Sequence, residues 1–87
     1  MEIEYFGNDK YRVLACMSER QISVKDNVVV KLSQQEIAGI VQLSKAKVNG
    51  IIAELKSDGY ITQESPRGKY ILTEKANTAL AVLGVTI

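Results

Sequence analysis

Apolar residues recur in the middle of the chain with the spacing of an amphipathic helix. Four of them fall at positions i, i+3, i+4 and i+7: Val48, Ile51, Ile52 and Leu55. This spacing places all four side chains on one helical face. Ser44 is a suitable N-cap before them, and Gly59 is a typical C-terminal stop after them. The pattern predicts a helix from Ser44 to about Asp58, with its apolar face in the core and its opposite face free to bind.

A shorter helix is predicted just before this one. Ser33 and Glu36 fit the capping box S-x-x-E, in which the hydroxyl and the carboxylate each bond a backbone N–H at a helix start. The helix then begins at Gln34 and stops near Gln42. Its inward-facing residues are Ile37, Ala38 and Val41. Two short helices joined by a tight turn are therefore expected in this part of the chain.

The first third of the chain is expected to form a helix followed by a strand. Asn8 or Asp9 can cap a helix that runs to about Arg20. Its apolar stripe is broad for so short a helix. This breadth suggests that more than one side of the helix is buried, either by the domain core alone or by the core and a second subunit. The β-branched run 28–30 predicts one short strand, and the turn residues 25–27 allow a small hairpin with residues 22–24 as an alternative.

The last third of the chain has the pattern of a hairpin and a helix. Short alternating runs at 60–64 and 70–72 flank a solvent-facing tip, Ser65-Pro66-Arg67-Gly68-Lys69. Thr73 can cap a final helix, and residues 76–87 carry no charge. This order of elements is that of a winged helix-turn-helix, an α+β fold. We expect a three-helix core, a C-terminal helix and a small antiparallel sheet of three strands that includes the wing.

Composition and charge restrict the class of protein. With 46% hydrophobic and 24% charged residues, the chain is expected to form one small globular domain over residues 1–87. No apolar run approaches the roughly 20 residues of a membrane span, and no signal or transit peptide is predicted. We therefore expect a cytoplasmic protein without a membrane partner. The formal net charge is only +1, so a nucleic-acid site must arise from local arrangement of charge.

Catalytic and metal chemistry find little support in the sequence. Cys16 is the single cysteine, and the chain has no histidine. A thiol without an activating base is a poor nucleophile, and a lone cysteine cannot supply a zinc ligand set. We expect Cys16 to pack in the core, and we predict no catalytic residue, no metal site, no cofactor and no enzyme activity.

Several segments together resemble a known superfamily. They read Ser-Gln-Gln-Glu-Ile-Ala at 33–38, Leu-Ser-Lys at 43–45, then Val48, residues 51–55, and Gly-Tyr-Ile at 59–61. These segments look like the winged-helix regulators of bacteria and archaea, among which MarR-type and Crp-type DNA-binding domains share the pattern. The resemblance covers about half of the chain. It implies a transcriptional regulator that binds specific double-stranded DNA as a homodimer.

The predicted DNA contacts lie on the third helix and on the wing. The candidate residues are Ser44, Lys45, Ala46, Lys47, Asn49, Arg67, Gly68 and Lys69. Asparagine suits bidentate contact with adenine, and lysine suits guanine or phosphate. An arginine at a hairpin tip can enter a minor groove. We therefore expect the third helix in the major groove and the wing on the adjacent minor groove or backbone.

Two positions depart from the family pattern. Gln42 stands where the turn usually has a glycine able to adopt positive φ, so another turn geometry is expected. Gly50 stands in mid-helix, where related helices often have a long polar or basic residue, at a cost of about 1 kcal/mol relative to alanine. Together with Ala46 and Ala53 it forms a smooth stripe, which would allow either DNA or a protein surface to approach closely.

Alternatives to a regulator stay open. Residues 7–9, residues 42–45 and the first residues of the wing also look like the TubR-type centromere-binding proteins of plasmids. The low net charge and Gly50 would also fit a protein-interaction winged helix without DNA binding. For a homodimer, the candidate contacts are Tyr11, Leu14, Leu80 and Leu83. A small-molecule effector is neither predicted nor excluded.

Overall fold

The computed structural model describes the backbone of residues 2–65 and 69–85, and the side chains of residues 9–63 and 69–82. Within these ranges the elements follow in the order α1 (Glu2–Glu19), β1 (Gln21–Val24), β2 (Asn27–Lys31), α2 (Gln34–Val41), α3 (Lys45–Ser57), β3 (Ile61–Ser65), β4 (Lys69–Leu72) and α4 (Glu74–Val85). The predicted α+β winged helix-turn-helix fold is confirmed: three helices form the core, and a small antiparallel sheet and a C-terminal helix complete it.

The sheet in the described part of the chain has four strands, in the order β1-β2-β4-β3. Only one strand was predicted before α2, whereas residues 21–24 fold back onto β2 and confirm the alternative of a small hairpin. Its two-residue turn consists of Lys25 and Asp26, which both have positive φ. Such turns match the twist of the strands but usually contain glycine, so their sequence signal is weak here.

Helix α1 begins earlier than predicted. It starts at Glu2, so Asn8 and Asp9 both lie inside the helix and neither caps it. The reason is local, because residues 2–8 contain no proline and one glycine weakens a helix without ending it. This correction changes the role of Asp9, whose carboxylate is available to side chains on a neighbouring helix.

The core lies between α1 and the other three helices, and the sheet covers it. Helix α1 packs against α2, α3 and α4, so its broad apolar stripe is covered within one chain. Leu14 is fully buried and cannot contact a second subunit, which corrects its prediction as a dimer contact. Tyr11 and Leu80 are half-buried against the core. Leu83 lies on α4, but its side chain is outside the described residues.

Cys16 is buried in the core, as predicted. Burial raises the pKa of its thiol, and the neighbouring charge of Arg20 opposes that rise only in part. A thiol that stays protonated at neutral pH is a weak nucleophile. Packing is therefore the role that its surroundings support.

The turn between α2 and α3 has the left-handed geometry that a glycine would favour. Gln42 has φ 61° and ψ 46°, so the expectation of another geometry was wrong. Its backbone N–H donates to the Ala38 carbonyl, and the N–H of Leu43 donates to the same oxygen at 3.1 Å. These bonds, with the burial of Val41 beside the turn, offset the cost of about 1–2 kcal/mol for a residue with a Cβ in this region.

The wing strands are attached to the core through Thr73 and Gly59. Gly59 has φ 83°, which a glycine adopts without strain. The Thr73 hydroxyl donates to the Gly59 carbonyl at 2.7 Å and accepts from the N–H of Ala76 at 3.3 Å, so Thr73 is the predicted cap of α4. In the same region, the Lys75 ammonium lies 4.5 Å from the centroid of the Tyr60 ring.

Candidate nucleic-acid interface

Helix α3 has one buried face and one exposed face. The Ser44 hydroxyl accepts a hydrogen bond from the N–H of Lys47 at 3.1 Å and begins the helix as predicted. The four apolar residues of its periodic pattern are all buried. The predicted contacts on this helix are all exposed: Ser44, Lys45, Ala46, Lys47 and Asn49. The fold thus presents them together on the outer side of the N-terminal half of α3.

The predicted wing contacts are described only in part. Arg67 and Gly68 lie outside the described residues, and Lys69 is half-buried at the start of β4. In the sheet, Lys69 is the direct cross-strand partner of Lys31 at the end of β2. Like charges at such positions repel, and neither lysine forms an ion pair with any residue that the structure describes. An anion near the base of the wing would relieve this repulsion.

Sequence reasoning missed Lys31. It lies 38 positions before Lys69, and only the pairing of β2 with β4 brings the two together. One feature of the sequence pointed to this proximity indirectly. The β-branched run 28–30, just before Lys31, predicted a strand, and a strand was expected at the edge of the wing. We add Lys31 to the candidate interface.

Ion pairs between described side chains join α1 to α3. The Lys47 ammonium lies 3.1 Å from Asp9 Oδ2, and the Lys10 ammonium lies 2.9 Å from Glu54 Oε1. Asp9 Oδ1 also lies 3.6 Å from Arg12 Nη1. The pattern of the sequence indicates none of the α1–α3 pairs, because each joins residues far apart in the chain. Lys47 is therefore already engaged by a carboxylate, whereas Lys45 forms no ion pair within the described ranges.

The predicted smooth stripe lies on the exposed face of α3. Ala46, Gly50 and Ala53 are all exposed. A Cβ at Gly50 would meet no atom within 4 Å, so packing inside this chain does not require glycine at that position. A requirement for glycine would have to come from a molecule that approaches the helix from outside.

Replacing Gly50 with alanine should raise the free energy of unfolding by about 0.5–1 kcal/mol, because alanine loses less backbone entropy in a helix. Denaturant unfolding measures this change. Gly39 is a matched control, since it lies in α2 and also has open space around its missing Cβ. Both alanine variants should be more stable, and only Gly50→Ala should weaken binding if DNA approaches α3 closely. Equal binding by both variants would argue against a close approach at Gly50.

A cavity of about 540 Å³ is lined by Tyr60 and residues of α4, none of which is a predicted DNA contact. The residues that the structure describes contain no group of three or more side chains able to hold a metal ion. No described helix combines the length and the apolar character needed to cross a membrane.

Comparison with solved structures places the fold among bacterial regulators. A transcriptional regulator of the CRP/FNR family from Thermus thermophilus is 29% identical, with a TM-score of 0.69 over 92% of this chain and 43% of that chain. The reduced Fe(II) CO-sensing protein from R. rubrum is 21% identical, with a TM-score of 0.72 over 92% and 40% of the two chains. The CO-dependent transcription factor CooA from Carboxydothermus hydrogenoformans is 15% identical, with a TM-score of 0.65 over 87% and 38%. The chain spans about two fifths of the length of these proteins.

The family is shown by the sequence itself. No curated protein matches the chain, but the model of the Crp-like helix-turn-helix domain matches residues 11–77. The matched segment includes α2, the turn, α3 and both wing strands. The Crp-type part of the predicted resemblance is confirmed, whereas the MarR-type and TubR-type likenesses are not. The chain belongs to the family of Crp-like helix-turn-helix domains.

Proposed function

We propose that this chain is the DNA-binding domain of a transcriptional regulator that recognises a specific double-stranded site. The observation that carries the proposal is the exposed N-terminal half of α3, where Lys45 and Asn49 lie opposite a fully packed core face. A helix held in this way can enter a major groove without exposing the core. Since regulators of this family act by binding, no catalytic role is proposed.

The chemistry of the exposed side chains supports a division of roles. Asn49 suits bidentate contact with adenine, and Lys45 suits guanine or a phosphate. The N-terminus of α3, capped by Ser44, adds a partial positive charge that favours a phosphate. On the wing, Arg67 would enter the adjacent minor groove, and Lys69 would contact the backbone with Lys31 beside it. These contacts would position α3 and read the site at the same time.

The proposed active form is a homodimer. One domain of this kind reads few base pairs, and a two-fold pair doubles the recognised site. The apolar surface that supports pairing lies on α4, where Leu80 is half-buried and Val82 is 48% exposed, and on α1, where Tyr11 is half-buried. Leu83 belongs to the same proposal through its position on α4.

Selection of bound duplexes from a random pool at about 150 mM salt tests the proposal. An enriched motif, read by sequencing, is the expected result, and two-fold symmetry in the motif would support the homodimer. Loss of enrichment in an Arg67→Ala, Lys69→Ala variant would indicate that the wing takes part in DNA recognition.

Other outcomes of the same selection would favour other functions. A cluster of repeated sites bound cooperatively would favour a TubR-type partition role over an isolated operator. No enriched motif and little duplex affinity would overturn the proposal. The exposed stripe at Ala46, Gly50 and Ala53 would then be a surface for a protein partner.

A further inference from the structure

Asp9 connects two cations that belong to different parts of the fold. One carboxylate oxygen lies 3.1 Å from the Lys47 ammonium on α3, and the other lies 3.6 Å from Arg12 on α1. Arg12 in turn donates a hydrogen bond to the backbone carbonyl of Val41 at the end of α2. Asp9 thus lies where α1, the turn between α2 and α3, and the first turn of α3 meet.

This arrangement restrains the carboxylate. Its side chain is 34% exposed, against 56% for Lys47, so the lysine end of the pair is the more open to solvent. Arg12, which also donates to the Val41 carbonyl, holds one carboxylate oxygen from the α1 side. In the structure the negative charge therefore lies between Arg12 and Lys47, the third residue of α3.

A DNA phosphate that binds Lys47 comes close to the negative charge of Asp9. Either the phosphate displaces the carboxylate from the ammonium, or it binds with a like charge only a few ångströms away. Both routes reduce the gain from the contact, and a pair exposed to this extent is weak enough to be displaced. Duplex affinity is thus lower than the exposed cations of α3 alone would produce.

We propose that Asp9 is an intramolecular competitor of DNA phosphate for Lys47, which lowers the affinity of the domain for any duplex. The inference rests on the proposed DNA-binding function. Binding that depends mainly on phosphate contacts is independent of sequence. By reducing that contribution, Asp9 leaves more of the binding to the base contacts of α3.

The test is a double-mutant cycle on the full chain, with an unrelated duplex of mixed sequence as the probe. Asp9→Asn should tighten binding about two- to fivefold at low salt, which corresponds to releasing one exposed ion pair. The plot of log affinity against log salt should become steeper by about 1, since one more cation acts on the phosphates. Asp9→Ala should change both quantities in the same direction, and thermal melting confirms that each variant is folded.

The controls separate competition at Lys47 from a general change of charge. Glu19→Gln removes the same charge at the far end of α1, where Glu19 pairs with Arg20 at 3.4 Å, and its effect should be much smaller. In a Lys47→Ala background, the gain from Asp9→Asn should fall to that of Glu19→Gln. An undiminished gain in this background would overturn the proposal, because the carboxylate would then act by general repulsion.

Two further results have distinct meanings. Weaker or unchanged binding by Asp9→Asn, with the native chain binding normally, would overturn the role of Asp9 alone and indicate that it orients Lys47 or only stabilises the fold. No binding of any duplex by the native chain would overturn the proposed function and this inference with it.

Discussion

Replacing Lys45 and Lys69 together with alanine should weaken duplex binding by about 10- to 100-fold at about 150 mM salt. The two lysines lie on the two predicted contact elements, at the start of α3 and the start of β4. Neither forms an ion pair with any described residue, so each ammonium is available to a phosphate. The salt dependence should also become shallower, by about 0.9 for each phosphate contact that is lost. Fluorescence anisotropy titrations at several salt concentrations measure both quantities.

A matched variant with Arg20 and Lys56 replaced by alanine removes the same net charge elsewhere. Arg20 follows α1, and Lys56 lies about 16 Å along α3 from Lys45. This control should weaken binding only slightly, because long-range attraction between charges is screened beyond about 10 Å. If both double variants lose affinity equally, the net charge of the chain determines binding and the proposed interface is wrong.

Replacing Leu14 with alanine should lower the free energy of unfolding by about 2–5 kcal/mol. Leu14 is fully buried in the cluster where α1 meets the other helices, so the change leaves a cavity as well as removing apolar contact. A loss of this size is a large part of the stability of a small domain. Denaturant unfolding followed by circular dichroism measures it.

Ile40→Ala is the matched control for Leu14. Ile40 also lies on a core helix but is 41% exposed, so its replacement should cost less than about 1 kcal/mol. The comparison also tests the corrected role of Leu14. A stable Leu14→Ala variant that only loses self-association would restore Leu14 as a dimer contact and contradict its burial within one chain.

Much of the fold could be predicted because its signals are local. The capping box at Ser33 and Glu36 is present as predicted, with the Ser33 N–H donating to Glu36 Oε1 at 2.8 Å. The cap at Ser44 and the apolar spacing of α3 are equally local, because hydrogen bonds and periodicity within one helix depend on residues three or four apart. For the same reason, the exposed candidate contacts of α3 were predicted together with the helix.

Errors occurred where local signals were weak or absent. Gln42 and the turn at Lys25 and Asp26 adopt positive φ without glycine, because surrounding packing and hydrogen bonds offset a local cost. At these turns local preference is a weak term that tertiary contacts override. The early start of α1 has a different cause: residues 2–8 contain nothing that ends a helix, so Asn8 and Asp9 lie inside it although both are good caps.

By itself, the sequence determined the order of the four helices and the wing hairpin, the core faces of α2 and α3, and the exposed cations of α3. Tertiary structure alone decided that Leu14 is covered within one chain, that Lys31 lies opposite Lys69 and that Asp9 holds Lys47. The physical reason is distance along the chain. Helix periodicity and caps act over a few residues, whereas strand register and ion pairs between helices join residues separated by dozens of positions, and only packing brings these together.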